Sequence, residues 1–170
     1  MVVKDLFKKS ATEVAPRLVG MLLCRRLADG SVIKARITET ECYYGEEDTA
    51  CHAHKGRTAR TDVMYLEGGR AYVYLCYGIH SLINIVSGEE NSPEAVLIRG
   101  VGGANGPGKA SKLLKIDTSL TGYDLTLGNE VWLENDGLTV EHEVAPRVGI
   151  DYASEKDRNR LWRFISKAKP

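Results

Sequence analysis

The alternation of apolar and polar residues is clearest in the segment SVIKARITETECYY, residues 31–44. Ile33 and Ile37 lie on one face of a period-two pattern, which predicts a β-strand with one face buried. If the same count continues, that apolar face is next occupied by Glu39 and Glu41. Either the strand leaves the core at this point, or the two carboxylates take part in chemistry.

Five other short segments rich in apolar residues are separated by turn residues and predict further strands. They are RAYVYLCYG (70–78), SLINIVSG (81–88), EAVLIRGV (94–101), NEVWLEND (129–136) and APRVGIDYA (145–153).

Three segments predict helices. The first begins near Thr12 and continues through EVAPRLVGMLLCRRL to end before Gly30. NGPGKASKLLKI predicts a short helix after a Gly/Pro turn, and SEKDRNRLWRFI predicts a last helix capped by Ser154. Successive strands with helices near both ends predict an α+β fold, a single domain over residues 1–170 with a curved, largely antiparallel sheet flanked by helices.

The bulk composition is that of a soluble protein, with 43% hydrophobic and 27% charged residues among 170. Apolar runs such as LVGMLLC are too short to cross a bilayer, and the start lacks the apolar core of a signal peptide. We therefore expect no membrane association and a cytoplasmic location, at the nucleoid in a prokaryote or in the nucleus of a eukaryote. The four cysteines lack CxxC spacing, which favours reduced thiols.

The segment 44–70 is long, polar and without clear periodicity, which in a compact domain usually marks a functional loop. Just before it, Glu39 and Glu41 lie about 7 Å apart along one strand face, a spacing compatible with general-base or paired acid/base chemistry. The alternative is that the strand ends and both carboxylates are solvated.

Cysteine and histidine side chains in and beside this loop raise the possibility of zinc, since thiolates and imidazoles are its usual ligands. The four residues are Cys42, Cys51, His52 and His54. Their spacing matches no compact zinc motif, and the sequence favours buried cysteines with functional or surface histidines instead.

Aromatic and amide side chains occur in the next two strands. Tyr72 and Tyr74 share a strand face, Tyr77 precedes a turn glycine, and Asn84 interrupts an apolar run. Each is compatible with a structural role, but a tyrosine at a turn can also project as a wedge, and a buried Asn must be hydrogen-bonded.

Basic residues form three groups that could contact phosphate, although each could equally be a solvated part of the surface. They are Lys55, Arg57 and Arg60 in the long loop, Arg99 near a strand end, and Lys109 with Lys112 at a helix start. The total of 23 basic and 23 acidic residues gives no general attraction to polyanions.

Taken in order, several of these segments resemble the alkyladenine (3-methyladenine) DNA glycosylase family. They are RITETECYYGEEDTACHAHKGRTAR, MYLEGGRAYVYLCYGIHSLINIVS, AVLIRGV, GPGKASKLLKID, APRVGI and RLWRFI. The resemblance extends from about Leu18 to Ile165, and its most specific parts are ETExY and YVYxxYG.

The resemblance implies a role for each matching residue. Glu41 would activate the water that attacks the sugar C1′, and Arg99 would help to organise that water or a nearby phosphate. The pocket for an extruded purine would be formed by Tyr43, His52, Tyr74 and Asn84. Tyr77 would enter the minor groove, and phosphate contacts would come from Arg57, Arg60, Lys109 and Lys112.

The implied activity is monofunctional hydrolysis of the N-glycosidic bond of alkylated or deaminated purines such as 3-methyladenine, hypoxanthine and ethenoadenine. The partner would be double-stranded DNA containing a damaged purine, bound by a monomer that needs no metal and no organic cofactor. A non-catalytic damage-binding protein of the same fold is the alternative.

The sequence also departs from the family pattern. Cys42 stands where alanine is usual, and Thr61 where asparagine is common. Only GVGGAN joins Arg99 to GPGKASK, whereas related chains usually have a longer, more basic connection there. The short connection, residues 100–106, is expected to lower DNA affinity more than the chemistry.

Overall fold

A computed structural model describes residues 4–168. The four helices are α1 Lys4–Phe7, α2 Ala11–Leu18, α3 Pro107–Leu113 and α4 Glu155–Arg158. The nine strands are β1 Leu22–Arg26, β2 Val32–Tyr43, β3 Ala71–Cys76, β4 His80–Ser87, β5 Glu94–Val101, β6 Ala104–Asn105, β7 Val131–Glu134, β8 His142–Ala145 and β9 Arg163–Ser166.

The strands form one antiparallel sheet in the order β3-β4-β5-β2-β1-β7, with β6 paired to β5, and β9 paired to both β2 and β8. The long strand β2 is its centre, because it pairs with β1 along its first half and with β5 and β9 along its second half. The predicted α+β class with a largely antiparallel sheet is confirmed.

Each face of the β3-β4-β5 region is covered by a different layer. Ile83 and Ile85 point into the main core, where they join apolar residues of α2 and α3. Tyr72 and Val86 point the other way, into a small cluster with residues of the 44–70 segment. Alternate residues of the same strands therefore serve the core on one face and a second layer on the other.

In both β2 and β5, the residues that face the core change parity at the same level of the sheet: they are at odd-numbered positions on one side of that level and at even-numbered positions on the other. Ile37 of β2 pairs with Val101 of β5, and Thr40 pairs with Ile98, with an irregular register between these pairs. All four side chains are buried, and the Thr40 hydroxyl donates to the α2 backbone carbonyl of Ala15 at 2.8 Å. The core thus passes from odd to even positions along β2.

This change of parity answers the question raised by the sequence pattern. Glu39 and Glu41 do not continue the core face of Ile37, because the irregularity turns them to the opposite face. Gly100 of β5 allows the close approach, since a Cβ there would lie 2.9 Å from the Thr38 hydroxyl and 3.3 Å from the Glu39 Cβ.

The first predicted helix was wrong in its length. Helix α2 ends at Leu18, and Leu22–Arg26 is strand β1. The chain turns at Gly20, whose φ is 94° and whose N–H donates to the Ile37 carbonyl at 2.9 Å. Pairing with β2 and β7 on both sides fixes this apolar segment as a strand, although its helical propensity is good.

Two predictions near the C-terminal end were also wrong. Residues 146–153 form no strand, since β8 ends before Pro146, which has no N–H for a ladder. The last helix is a single turn, α4, with Ser154 at its N-cap as predicted, and strand β9 follows it. Phe164 of β9 is buried in the main core and pairs with Thr40, and this tertiary contact determines the strand.

The other predicted strands and the helix α3 are present. The 44–70 segment has no strand or α-helix, and contains three 3-10 turns at Gly45–Glu47, His52–Lys55 and Asp62–Tyr65. Within residues 4–168, no helix is long and apolar enough to span a membrane.

Replacing Gly100 with alanine should lower the free energy of unfolding by about 1–2 kcal/mol, because the added Cβ must displace Thr38 and Glu39. Gly102→Ala is the matched control, since its nearest neighbour would be the Arg36 carbonyl at 3.9 Å. Urea unfolding measures both. Equal stability of the two variants would contradict the importance of close packing at Gly100.

Candidate active site

A cavity of about 420 Å³ lies on the face of the sheet opposite the main core. Strands β2, β3, β4 and β5 form its base, the 44–70 segment forms one wall, and residues 148–152 form another. Its side-chain lining is mainly aromatic and apolar, with a few polar groups, as is typical of sites for small organic groups. The lining residues include Tyr43, Cys51, His52, Arg60, Met64, Tyr72, Tyr74, Leu82, Asn84, Leu97, Arg99 and Tyr152.

The carboxylate of Glu41 lies directly behind this lining. Its side chain is 0% exposed, and each oxygen has a donor. Oε1 accepts from the Val148 backbone N–H at 2.9 Å, and Oε2 accepts from the Tyr43 hydroxyl at 2.8 Å. Val148, Tyr43 and Arg99 all line the cavity. The Glu41 carboxylate is therefore in direct contact with residues that line the cavity.

Burial raises the pKa of Glu41 above its ordinary value, although the Val148 N–H, Arg99 and the Tyr43 hydroxyl all act to lower it. The same burial, together with the Glu41 carboxylate, raises the pKa of Tyr43 well above its usual range. Tyr43 therefore remains a neutral hydroxyl donor towards Glu41 at neutral pH.

Two guanidiniums compensate the acidic residues here. The Arg99 Nε lies 3.2 Å from Glu39 Oε1 and 3.6 Å from Glu41 Oε1, and Arg163 Nη1 donates to Glu39 Oε1 at 3.0 Å. We call these four residues the carboxylate cluster. Its charges sum to zero when both acids are ionised, so the two carboxylates can coexist behind the cavity.

His52 and two tyrosines form an aromatic group on the cavity wall. The Nδ1 of His52 and the Tyr72 hydroxyl are hydrogen-bonded at 2.9 Å, and the His52 ring meets the Tyr74 ring edge-on with centroids 4.6 Å apart. Burial, reinforced by the nearby Arg60 guanidinium, lowers the pKa of His52 to about 4. His52 is therefore neutral near pH 7, with one N–H and one lone pair.

Asn84 is buried on β4 next to this aromatic group. Its Nδ2 donates to the backbone carbonyl of Tyr72 at 3.2 Å, and the residue lines the cavity. This hydrogen bond fixes the orientation of the Asn84 amide at the cavity, where the amide could contact a polar edge of a ligand.

A buried ion pair holds the walls together. Arg147 donates to both oxygens of Asp48, at 2.6 and 2.9 Å, and to the Cys42 carbonyl at 2.9 Å. Its guanidinium carbon lies 4.9 Å from the Tyr43 ring centroid and 5.1 Å from that of Trp162. Asp48 belongs to the 44–70 segment, so this pair fixes that segment to the residues that supply the Val148 N–H.

Tyr77 lies at the tip of the β3–β4 hairpin, beside the cavity mouth. Tyr77 and Gly78 both have positive φ, 54° and 69°, as in a type I′ turn. The Tyr77 side chain is 91% exposed, and Leu75 and Ile79 beside it are 47% and 73% exposed. The hairpin therefore presents an apolar tip to solvent.

The four basic residues predicted to contact phosphate are all exposed but lie in different surroundings. Arg57 pairs with Asp62 at 2.6 Å, whereas Arg60 lines the cavity with its guanidinium carbon 5.2 Å from the Tyr74 ring centroid. Lys109 and Lys112 are on α3, which packs against β4 and β5.

The structure separates the side chains that raised the zinc alternative. Cys42 is in the main core, Cys51 is in the small cluster, and His54 is exposed with its Nδ1 2.7 Å from the Glu46 carbonyl. In the described part of the chain, no group of three or more Cys, His, Asp or Glu residues could hold a metal ion. All four cysteines are free.

Sequence reasoning missed several residues of the site. Tyr72 was recognised as sharing a face with Tyr74 but was not assigned to the pocket. Arg147 and Val148 belong to the APRVGI segment, whose assignment to a strand concealed that its backbone serves Glu41. The signal available was an arginine next to a proline in an otherwise apolar segment.

Comparison with known proteins is consistent with this geometry. The model of the methylpurine-DNA glycosylase family matches residues 5–103 and 101–170. The two matched segments meet at the β5–β6 turn, where the sequence has its short connection. Together they cover nearly the whole chain.

Individual relatives give the same result, and each is named as a candidate 3-methyladenine DNA glycosylase. A protein of Psychrobacter cryohalolentis is 44% identical, over 94% of this chain and 88% of that protein. A protein of Borrelia garinii subsp. bavariensis is 42% identical over 95% and 93%, and one of Natranaerobius thermophilus 40% identical over 98% and 95%. These matches and the family model show that the chain belongs to the methylpurine-DNA glycosylase family, and is thus a DNA-repair hydrolase of N-glycosyl bonds.

Proposed function

We propose that this protein is a monofunctional glycosylase that hydrolyses the N-glycosidic bond of alkylated or deaminated purines in double-stranded DNA. The observation that carries the proposal is a buried carboxylate, Glu41, directly behind a cavity lined by aromatic rings. 3-Methyladenine, hypoxanthine and ethenoadenine are the purines proposed as substrates, and the chain would act as a monomer.

In this mechanism Glu41 is the general base. It removes a proton from a water molecule that attacks C1′ of the sugar, and Arg99 positions that water near Oε1. Because the Glu41 side chain is closed to solvent, a shift of Tyr43 or Arg99 on nucleotide binding would admit the water from the cavity. The nucleophile is then separated from bulk solvent.

The damaged base would occupy the cavity between aromatic rings. Tyr43 and Tyr74 provide surfaces for stacking, His52 provides a neutral hydrogen-bonding group, and Asn84 disfavours the exocyclic amine of guanine. An alkylated purine with positive charge already has a weakened glycosidic bond, so one general base suffices. A neutral purine such as hypoxanthine lacks this positive charge, so it must also be protonated as it leaves.

Water cannot reach C1′ in this way while the base is stacked in the duplex, so the nucleotide must flip out. Flipping costs a few kcal/mol and is least costly at damaged or weak pairs. The exposed Tyr77 ring would enter the duplex and offset the lost stacking. Arg57, Arg60, Lys109 and Lys112 would contribute phosphate contacts that hold the DNA backbone.

Glu41→Gln should slow base release by about 10²–10⁴-fold in single-turnover assays, because the amide cannot accept the proton from water. Duplexes containing 3-methyladenine, hypoxanthine or ethenoadenine are the substrates, and binding is measured in parallel. Glu39→Gln is the comparison variant. It also removes one negative charge from the carboxylate cluster, but Glu39 contacts Arg99 and Arg163, whereas the Val148 N–H and the Tyr43 hydroxyl bind Glu41. Its base release should fall less than that of Glu41→Gln, because Glu41 keeps its carboxylate.

Full activity in Glu41→Gln would contradict the assignment of the base. Damage-specific binding by the unmodified protein without release of any base would favour the damage-binding alternative.

The Glu41→Gln variant should also gain stability relative to the unmodified protein as the pH rises from about 4 to 7. The pKa of Glu41 is raised by burial in the folded chain, so the folded state holds its proton more tightly than the unfolded state. As the pH rises through this interval, Glu41 loses its proton more readily in the unfolded chain than in the folded chain, which lowers the free energy of unfolding of the unmodified protein. The glutamine variant has no group that titrates at this position and does not lose stability in this way. Urea unfolding at pH 4 and pH 7 tests this, and a pH-independent difference would count against it.

Tyr77→Ala should weaken binding to a damaged duplex by roughly 5- to 150-fold, the equivalent of about 1–3 kcal/mol of base stacking. The free energy of unfolding should change by less than about 0.5 kcal/mol, because the ring is exposed. Leu127→Ala removes another exposed apolar side chain, away from the cavity, and should not affect binding. Unchanged binding by Tyr77→Ala would exclude the wedge role.

A further inference from the structure

Arg60 is a charged group on the cavity wall without a counter-ion. Its guanidinium carbon lies 5.2 Å from the Tyr74 ring centroid, and the residue lines the cavity. Across residues 4–168, no carboxylate lies within 4 Å of its guanidinium, whereas Arg57 of the same loop pairs with Asp62 at 2.6 Å. In the described chain, no carboxylate therefore neutralises the positive charge of Arg60 at the cavity wall.

The other charged groups around the cavity cancel one another. The carboxylate cluster contains two acids and two guanidiniums, and the buried pair of Arg147 with Asp48 is neutral as a unit. His52 adds no charge near pH 7, because burial and Arg60 lower its pKa to about 4. The net charge at the cavity is accordingly that of Arg60.

Aromatic walls alone would favour a positively charged base, since the face of a tyrosine ring attracts cations. Arg60 opposes this preference in two ways. It already occupies one face of Tyr74, and its own charge repels a second cation in the cavity.

We propose that Arg60 is a specificity-determining residue whose charge disfavours a purine with a fixed positive charge, relative to a neutral purine of similar shape. This inference rests on the proposed function, because it concerns the base that the cavity receives. It assigns to Arg60 a role in selecting the base, beyond the phosphate contact expected of it.

The size of the effect follows from the Coulomb interaction. Two like charges about 6 Å apart change a binding constant by roughly threefold in bulk water, and by roughly a hundredfold at an effective dielectric constant of about 20. Arg60 is an exposed residue, so its field is partly screened by solvent and salt. We expect a selectivity change of about tenfold.

The test compares two bases modified at the same edge. 1-Methyladenine is positively charged at neutral pH, 1,N6-ethenoadenine is neutral, and neither pairs normally. Dissociation constants for duplexes with each base, and for an undamaged duplex, are measured in the Glu41→Gln background with Arg60, Arg60→Gln or Arg60→Lys. The Glu41→Gln change prevents base release and leaves one guanidinium of the carboxylate cluster uncompensated. This added charge is the same in all three proteins, so a change in the ratio reports Arg60 alone. Arg60→Gln should shift the ratio of the two constants about tenfold towards the charged base, and Arg60→Lys should leave the ratio unchanged.

Arg57→Gln is the matched control. Arg57 also lies over a tyrosine ring, 5.1 Å from the Tyr65 centroid, but does not line the cavity. Its loss should leave the ratio between the two damaged duplexes unchanged.

The outcomes separate this inference from the proposed function. If Arg60→Gln weakens binding to all three duplexes equally, with a shallower salt dependence, Arg60 acts only as a phosphate contact and the inference is wrong. If no variant distinguishes either damaged duplex from the undamaged one, the proposed function itself fails, and the inference with it.

Discussion

The bidentate ion pair between Arg147 and Asp48 is the interaction on which the candidate site depends. Both side chains are 0% exposed, and removing one partner of such a pair typically costs about 3–5 kcal/mol because the other is left buried and unpaired. The pair also joins two segments without regular structure, the 44–70 segment and the residues after β8. One of these carries His52, and the other supplies the N–H that binds Glu41.

The sheet supports the site through its two different faces. Once β2 and β5 have changed parity, even positions such as Thr40 and Ile98 face the core, and odd positions such as Glu41 and Leu97 face the cavity side. A rigid core on one face therefore fixes the candidate active-site side chains on the other. Catalytic geometry is held best where the side chains are mounted on such regular elements.

The parts that the sequence alone could predict are those with a local signal. The hairpin strands β3 and β4, strand β5 and helix α3 follow from alternation, turn residues and a Gly-Pro start. Strands β1 and β9 could not be identified, because pairing with distant strands determines them against their local preference. The match of ordered motifs to a known family, rather than periodicity, pointed to Glu41, Tyr43, His52 and Tyr74 as one group.

The sequence could not indicate the contacts of the site, because they depend on long-range geometry. The Val148 N–H reaches Glu41 from more than a hundred positions away. The alternation along β2 showed that its pattern breaks at Glu39, but not which face Glu41 takes after the irregularity. The same reasoning applies to Arg60, whose position over Tyr74 depends on how the long loop folds back.

The simultaneous change of parity in β2 and β5 also limits how chain length can vary in evolution. A one-residue insertion within either strand near this level would exchange core and cavity positions along the rest of that strand. The Gly102–Gly103 turn between β5 and β6 is less constrained, because it follows the last residue of β5 and its length does not set the register of β5 with β2. Turns of this kind are where the chain can change in length while the face of the sheet that carries the candidate site stays unchanged.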